Sequence, residues 1–546
     1  MNRRMAAYNP TVSGLRDLFD HLANDPFVVP AQAGTHSCPG PGRRRMDPGL
    51  RRDQRRTSGL LAVTTVAAAL LLTACTVGPD YQRATAPVPL AYKEETGWKQ
   101  ARPADAIDRG AWWSVFRDPV LDRLERQIDI SNQNLKSAEA AFRQAEAIVA
   151  QARAGFFPTA DINAAASRSR APGSGVISNQ FRTTASASWL PDLWGRVRRI
   201  VEGDVASAQA SAGDLAGVRL AAQGQLASSY AQLRVADGLK RLLDTSAKAF
   251  AEALRITENQ YNAGIVSAAD VAQARTQLES TLAQAIAVGV TRSRLEHAIA
   301  VVIGRPPAEL TIPPVADVPP LPDVPAGLPS ILLERRPDIA AAERRMAAAN
   351  SDIGVAEAAF FPDVTLSAEY GSAASKIGKL LSASSRLWSF GSTAVQTIFD
   401  AGARHAQVEQ ARAVFDGAVA DYRQTVLTAF QQVEDQLAAL RVLAEQQAAQ
   451  DAAVAAAREA ERIFFNQYKA GTVAYTNVVV AQTAALSAAQ TALNLRQSRL
   501  VAAVALIQAL GGGWDASQLP VQRKIEADSP LNFNPLPPAD AWPRLW

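Results

Sequence analysis

Two stretches of the sequence share one order of features and decide the fold. The first reads GFFPTADINAAASRSR at residues 155–170, and the second reads AFFPDVTLSAEYGSAA at residues 359–374. In both, a Phe-Phe-Pro stop follows an Ala-rich helical pattern, because proline cannot continue a helix. Polar and apolar residues then alternate with a period of two, which is typical of a strand with two different faces. The chain therefore contains two copies of a helix-to-strand transition.

These copies belong to a duplicated unit of about 200 residues, with matching segments 204 to 207 positions apart. Tyr-Asn-Ala-Gly at 261–264 recurs as Tyr-Lys-Ala-Gly at 468–471. That period is too long for a solenoid and predicts two domain-sized repeats. We assign them to residues 75–304 and 330–513. Between them, residues 305–329 hold nine prolines in 25 residues and predict an extended connector.

Each repeat predicts an Ala-rich helix, two strands, a very long helix, a tight glycine turn and a shorter helix. The first helices fall at roughly 119–154 and 337–358, and the long helices at about 196–260 and 403–467. At 1.5 Å per residue, a helix of about 65 residues is about 100 Å long. Such a length indicates a coiled coil or a related helical bundle.

Four segments alternate between polar and apolar side chains over about ten residues, as transmembrane β-strands do. The polar positions of the first three are Thr159, Asp161, Asn163 and Ser167; Arg182, Thr184, Ser186 and Ser188; and Asp363, Thr365, Ser367 and Glu369. The fourth pattern is weaker and places Trp388, Phe390, Ala394 and Ile398 on one face. Trp189, Trp194 and Trp388 are expected at strand ends, where aromatic residues meet the membrane interface.

Four strands cannot close a barrel, and lipid does not tolerate open strand edges. Copies of the chain must therefore join. Two copies would give eight strands and three would give twelve, and the spacing does not choose between them.

The N-terminal region predicts an export signal. Four arginines between 51 and 56 precede the apolar stretch 60–72, and Leu-Thr-Ala-Cys follows at 72–75. We expect residues 46–74 to be a lipoprotein signal peptide, because the layout is typical of secretion and the ending resembles a bacterial lipobox. Cys75 would then carry the lipid. Residues 1–45 are expected to be a non-native extension upstream of a start at Met46. The alternative to the lipoprotein signal is an ordinary signal peptide with an incidental cysteine.

Composition argues against several functions. Residues 1–74 hold 10 Lys or Arg against 5 Asp or Glu, whereas residues 75–546 hold 46 against 47. The basic character therefore lies in the leader, which removes the main support for nucleic-acid binding. Two cysteines and four histidines offer no metal centre, and no nucleophile and base stand together as catalysis requires. We expect neither an enzyme nor a cofactor other than the lipid on Cys75.

A further stretch carries a family resemblance. Residues 328–339 read LPSILLERRPDI, and Ala341-Ala342-Glu343, Ala348-Ala349-Asn350 and Ile353-Gly354 follow. Leu193-Trp194-Gly195-Arg196 and CTVGPDY at 75–81 agree with it. The chain resembles TolC-type outer membrane factors, specifically the NodT-like lipoprotein branch that serves RND efflux pumps, over nearly all of residues 75–515.

The resemblance implies a mainly α chain with a transmembrane β part. A long α-helical barrel plus four β-strands per chain would be completed in a homotrimer as a 12-stranded barrel. The protein would be lipid-anchored in the outer membrane, with its helices in the periplasm. It would be the passive exit duct of a tripartite efflux system, with a periplasmic adaptor and an inner-membrane RND pump as partners.

The resemblance also suggests site residues at the periplasmic turns. The expected adaptor contacts are Gly264, Ile265, Val266, Gly471, Thr472 and Val473. The family often closes its tunnel with acidic side chains after the second turn, but here Asn477 and Val480 stand there. We therefore place the periplasmic gate at Asp270, with Asn477 as its counterpart. The alternative role for Asp270 is a capping box with Ser267. The alternative for the two glycine turns is that they are plain helical-hairpin turns without a partner.

Three other functions stay open at this point. A periplasmic adaptor or scaffold lipoprotein would have one hairpin, whereas this chain has two. An outer-membrane hydrolase would need a catalytic constellation. A type I secretion exit duct would share the fold. Arg335-Arg336-Pro337-Asp338 is expected to be structural, and residues 514–546 an extended tail.

Overall fold

The computed structural model describes residues 76–95, 111–170, 172–173, 176–315, 318–322, 324 and 332–528. The predicted extension, the signal peptide, Cys75 and the end of the tail lie outside these residues. The helices are α1 (Pro119–Ser131), α2 (Gln133–Ala154), α3 (Arg196–Asn262), α4 (Ala268–Val302), α5 (Leu332–Arg335), α6 (Pro337–Ala358), α7 (Ala403–Lys469), α8 (Tyr475–Ala509) and α9 (Gln522–Asp528). The strands are β1 (Thr159–Arg170), β2 (Ile177–Trp189), β3 (Asp363–Ala374) and β4 (Arg386–Val395).

The long helices confirm the duplication. Helices α3 and α7 have 67 residues each, and α4 and α8 have 35 each. Both long helices begin after a glycine with positive φ, +81° at Gly195 and +89° at Gly402. The two repeats thus fold to the same helix lengths.

The prediction of one helix over 119–154 was wrong at a single residue. Asn132 has an extended backbone, with ψ at 121°, and separates α1 from α2. Its side-chain oxygen accepts a hydrogen bond from the Leu135 N–H at 2.8 Å, and its amide donates to the Val302 carbonyl at 2.6 Å. Asparagine is among the best N-cap residues, so the break is a new helix start.

The helices pack around α3. Near the sheet, α3 packs on α2 and α6, and α6 packs on α7. Further from the sheet, α3 packs on α4 and α8, and α8 packs on α7. Helices α2 and α4 therefore lie at one edge of the layer and α7 lies at the other. Helix α8 is long and apolar enough to cross a membrane by composition alone, but it packs along α3 and α7.

The strands form one antiparallel sheet in the order β1-β2-β3-β4. The central pairing of β2 with β3 joins the two repeats. One row across the sheet is Asp161, Ser186, Glu369 and Ser389, and the neighbouring row is Ile162, Ala185, Tyr370 and Trp388. The predicted polar and apolar faces are thereby confirmed, and β1 and β4 are the outer strands.

Two details of the strand prediction were wrong. Strand β4 ends at Val395, so Ile398 lies beyond it. Trp194 lies five residues past the end of β2, where its ring stacks on Phe361 at 4.9 Å and its Nε1 donates to the Pro362 carbonyl at 2.8 Å. This tryptophan therefore joins the two helix-to-strand junctions. Trp189 does end β2, and Trp388 is the third residue of β4.

Segments outside the long helices and strands also connect the two repeats. The segment 76–95, which we call the strap, crosses both repeats. The Val77 N–H donates to the Trp194 carbonyl at 3.2 Å, and the Lys93 N–H donates to Glu434 at 2.7 Å. In the described part of the connector, the only helical element is the 3-10 turn Pro307–Glu309, as predicted.

The prediction of an extended tail was wrong for Gln522–Asp528, which forms α9. Ile525 in this helix is fully buried in a cluster with Val149, Val201 and Val205. Burial of one apolar side chain against the first repeat therefore holds the short helix in place.

Candidate functional site: the hairpin tips and the strand sheet

Each repeat has a helical hairpin whose turn is built on a left-handed glycine, with φ at +74° for Gly264 and +72° for Gly471. The Ile265 N–H donates to the Gln260 carbonyl at 2.9 Å, and the Thr472 N–H donates to the Gln467 carbonyl at 3.0 Å. This bond from beyond the helix end back to its last turn is the Schellman arrangement. The predicted glycine turns are confirmed, and their backbones match.

The six predicted contact residues divide into two groups. Gly264, Ile265, Gly471 and Thr472 are exposed, with Ile265 at 68%. Val266 and Val473 are half-buried and pack against a cluster of side chains below the turns. Four residues are thus available to a partner, and the two valines hold the turns against the helices.

That cluster brings the two repeats together, and we call it the tip cluster. It contains Ala253 and Ala274 from the first repeat, and Tyr468, Tyr475 and Val478 from the second. The Tyr468 hydroxyl donates to Thr257 Oγ1 at 2.9 Å, and the rings of Tyr468 and Tyr475 lie 5.2 Å apart. Sequence reasoning missed these side chains, because Tyr468 served only as a repeat marker.

Asp270 lies beside the tip cluster and is engaged in the capping box. Its backbone N–H donates to Ser267 Oγ at 3.3 Å, and its carboxylate accepts from the Ser267 N–H at 3.0 Å. Burial, followed by the negative charges of Tyr468 and Asp270, raises the pKa of Tyr475 to about 12. The carboxylate thus faces the tyrosine pair as well as its own cap.

Asn477 stands at the corresponding place in the second repeat but has a different setting. Its side chain is exposed, and its backbone N–H donates to the Ala474 carbonyl at 3.1 Å. Ala474, the N-cap of α8, gives no side-chain cap. The structure therefore brings Asp270 to the inter-repeat contact and leaves Asn477 outside it.

The polar face of the sheet carries one charged pair near its middle, Arg182 with Glu369, which links β2 to β3. Within the described ranges, no group of three or more His, Cys, Asp or Glu residues is close enough to hold a metal ion. What the arrangement offers is a sheet with one polar face, attached to long helices that end in exposed turns.

Known proteins match the same two units. The family described as "Outer membrane efflux protein" matches residues 125–305 and 328–512. The chain belongs to this family. The probable efflux pump outer membrane protein TtgC of Pseudomonas putida is 33% identical over 464 residues, covering 83% of this chain and 95% of that protein. Outer membrane protein OprJ of Pseudomonas aeruginosa is 31% identical over 474 residues, covering 83% and 96%.

Solved structures agree with the fold. The outer-membrane channel OprN superimposes with a TM-score of 0.75 at 31% identity, covering 81% of this chain and all of that one. The MtrE outer membrane channel of Neisseria gonorrhoeae gives 0.73 at 28% identity, covering 81% and 99%. The chain is an outer membrane efflux channel, mainly α-helical with a four-stranded sheet. The predicted family, fold class, location and channel function are confirmed; the roles of the tip residues, Asp270, Asn477 and Cys75 stay predictions.

Proposed function

We propose that three copies of this chain form the exit duct of a tripartite efflux system and passively conduct small molecules out of the cell. The observation that carries this proposal is the sheet. It has one polar and one apolar face and ends in unpaired outer strands, β1 and β4. Pairing β4 of one copy with β1 of the next closes the barrel, and three copies supply twelve strands. The polar face would then line the lumen.

The helical layer supports the same assembly. Helix α7 is the counterpart of α3, and within the chain α3 packs on both α6 and α8. By the duplication, α7 should pack on α2 and α4 of the neighbouring copy. Exposed apolar side chains lie on these edges, among them Ile286 at 75% and Val290 on α4, and Val442 on α7. Contact between copies would remove them from water.

The tips are the proposed adaptor contacts, through Gly264, Ile265, Val266, Gly471, Thr472 and Val473. Exposed Ile265 supplies an apolar anchor beside a turn of fixed geometry. Energy would come from an inner-membrane RND pump, so the duct itself needs no catalytic groups and is not an enzyme.

The proposed gate is a ring of three Asp270 carboxylates near the tips, with Asn477 at the equivalent second-repeat positions. Asp270→Ala should increase entry of large antibiotics into cells. Ser267→Ala is the matched control, because it breaks the same cap and keeps the charge. Equal leakage in both variants would assign Asp270 to the helix cap alone.

Lipid attachment is proposed at Cys75. Thr76, the next residue, packs against Gly195 at the junction of β2 and α3: a Cβ added to Gly195 would lie 2.9 Å from the Thr76 side chain. A lipid on Cys75 would therefore start beside the membrane end of the sheet. Mass analysis of the mature N-terminal peptide tests this, and an unmodified cysteine would contradict it.

The mass of the detergent-solubilised protein tests the assembly, by light scattering corrected for detergent. A mass of three chains is expected. A monodisperse monomer would leave four strands unclosed and would contradict the duct.

A further inference from the structure

The end of the sheet away from the long helices carries only positive charge. Residues 162–181 contain two arginines, Arg168 and Arg170, and residues 370–399 contain two lysines and one arginine.

 
Neither range contains an Asp or a Glu. Because Arg182 pairs with Glu369, the unmatched cations of this end are Arg168, Arg170, Lys376, Lys379 and Arg386, which we call the distal rim.

The strand register assigns the three arginines of the rim to a face. Arg168 pairs with Asn179 and Arg386 pairs with Ser372, and both arginines lie an even number of residues from the apolar row of Ile162, Ala185, Tyr370 and Trp388. Successive side chains of a strand point to opposite faces, so Arg168, Arg170 and Arg386 share the apolar face. All three are exposed. They would therefore face outward from the barrel and not into its lumen.

Two of these arginines lie at one level along the barrel. Arg168 is eight residues from Ala160 on β1, and Arg386 is eight residues from Ala394 on β4, where Ala160 and Ala394 are the first apolar-face residues near the helices. At about 3.3 Å per residue and a tilt of about 40°, this places them roughly 20 Å above those alanines. An outward apolar band is about 25 Å tall, so the arginines mark its outer boundary.

The loop between β3 and β4 combines charge with exposed apolar groups. Lys376 and Lys379 alternate with Ile377 and Leu381, which are 71% and 90% exposed. Apolar side chains next to lysines are typical of segments that lie in a membrane interface, with the ammonium groups reaching the headgroups. A purely aqueous anion would give no reason to expose the isoleucine and the leucine.

Closure of the barrel would concentrate the charge. Strands β1 and β4 are the outer strands, so each seam between copies brings Arg168 and Arg170 of one chain beside Arg386 of the next. Throughout the described residues, no carboxylate forms an ion pair with any member of the rim. Arginine binds phosphate oxygens in a planar, two-bond geometry, so converging arginines at a lipid boundary fit a phosphorylated headgroup.

We propose that the distal rim binds the phosphate groups of the glycolipid in the outer leaflet, and that this contact ties neighbouring copies together at each seam. The inference rests on the proposed trimeric barrel. Lipid phosphate would neutralise the rim, while the acyl chains would cover the apolar face and the exposed Ile377 and Leu381.

Binding of bisphosphorylated lipid A to the detergent-solubilised mature protein tests the proposal, with the same lipid after phosphate removal as the comparison. The test variant is Arg168→Gln/Arg170→Gln/Arg386→Gln. The matched control is Lys248→Gln/Arg294→Gln/Arg523→Gln, which removes three exposed cations from helices. Each basic residue near an anionic surface contributes about a fivefold factor, so we expect the test variant to bind at least about tenfold more weakly.

The wild type and the control should both prefer the phosphorylated lipid. Equal binding by the test variant and the wild type would overturn the proposal, as would equal binding of the dephosphorylated lipid by the wild type. If the triple variant fails to assemble, Arg386→Gln alone should weaken binding about fivefold, and an unchanged affinity would overturn the proposal. Light scattering on the same samples distinguishes the two proposals. A trimer with no preference for the phosphorylated lipid would contradict only the proposed role of the distal rim, whereas a monomer would contradict the proposed duct.

Discussion

The two hairpin tips have the same backbone and different sources of stability. In the first tip, Ser267 and Asp270 form a capping box within the turn itself. In the second, Ala474 offers no side-chain cap, and Tyr468 and Tyr475 are buried against the first repeat. The counterpart of Tyr468 is Tyr261, which is 48% exposed, whereas Tyr468 is 2% exposed.

The difference shows that two copies of a duplicated unit can keep the same backbone while different interactions stabilise it. The first tip depends on hydrogen bonds between residues three positions apart, and the second depends on contacts with residues about 200 positions earlier. The exposed Tyr261 also lies on the side of the chain that a neighbouring copy would cover. One tip can therefore form alone, while the other needs the first repeat in place.

The largest expected effect comes from Tyr468→Ala. Removing a buried aromatic side chain leaves a cavity and should lower the free energy of unfolding by about 3–5 kcal/mol. Tyr261→Ala is the matched control and should cost the single chain about 1 kcal/mol or less, because half of its side chain is in water. Hydrogen exchange at residues 460–480 measures the local loss. Similar losses from both variants would remove the asymmetry between the tips.

The next effect is a pH dependence at the second tip. Burial raises the pKa of Tyr475 to about 12, whereas its value in the unfolded chain is about 10. The stability contributed by the neutral phenol is therefore complete below pH 10 and is lost as the pH rises towards 12, by an amount on the order of 2 kcal/mol. Circular dichroism of thermal unfolding at pH 9 to 12 follows this loss.

Tyr475→Phe should remove this share of the alkaline loss. Burial also raises the pKa of Tyr468, Tyr230 and Tyr81, so their shares should remain. At pH 7 the same variant should be neutral or slightly stabilising, because the Tyr475 hydroxyl is buried without a hydrogen-bond partner among the described residues. The first repeat has Ala268 at the equivalent position, so its tip should show no such dependence. An alkaline loss as large in Tyr475→Phe as in the wild type would contradict the share assigned to Tyr475.

Gly264→Ala and Gly471→Ala should lower the free energy of unfolding by the same amount. Both glycines have positive φ, and no atom lies within 4 Å of a Cβ added to either, so only the backbone conformation is penalised. The penalty for a left-handed alanine is about 1–2 kcal/mol. Thermal unfolding of the two variants compares the costs. A clearly larger cost at Gly471 would mean that its turn is more strained than its dihedral angle indicates.

The smallest effects concern the caps. Ser267→Ala should lower stability by about 1 kcal/mol, because it leaves helix-end N–H groups without their side-chain acceptor. Ala474→Ser should raise stability by a similar amount or less, since the Ala474 backbone is already extended as an N-cap requires. Hydrogen exchange in the first turns of α4 and α8 measures both. No gain from Ala474→Ser would show that the second tip does not lack a cap.

Features written in consecutive residues were predictable from the sequence. The ends of α2 and α6 follow from the Phe-Phe-Pro stops, and the ends of α3 and α7 follow from the glycine turns. The strand faces follow from the period of two. The capping box was visible as Ser267 and Asp270 three residues apart. Each of these depends on interactions within a turn or along one strand, so no knowledge of distant contacts is needed.

Features that depend on distant contacts were not predictable. Nothing near Tyr468 in the sequence points to Thr257, and nothing near Ile525 points to Val149. Tryptophan is a residue type common at membrane interfaces, but Trp194 stacks on Phe361 from the other repeat. The break at Asn132 was missed because the hydrogen bond from its side chain to the Val302 carbonyl joins residues 170 positions apart and is set by packing.

The pairing of β2 with β3 has a consequence for how the protein reaches its membrane. Trp189 pairs with Leu366, so the centre of the sheet joins residues about 180 positions apart, and contacts at such separation form slowly. The complete sheet cannot exist before the second repeat has left the ribosome as far as Val395, the end of β4. During export, its outward face is a scattered set of alanines with a few larger residues, and not one continuous apolar stretch. The chain therefore becomes membrane-seeking only when folding gathers that face, which lets it cross the inner membrane and the periplasm first.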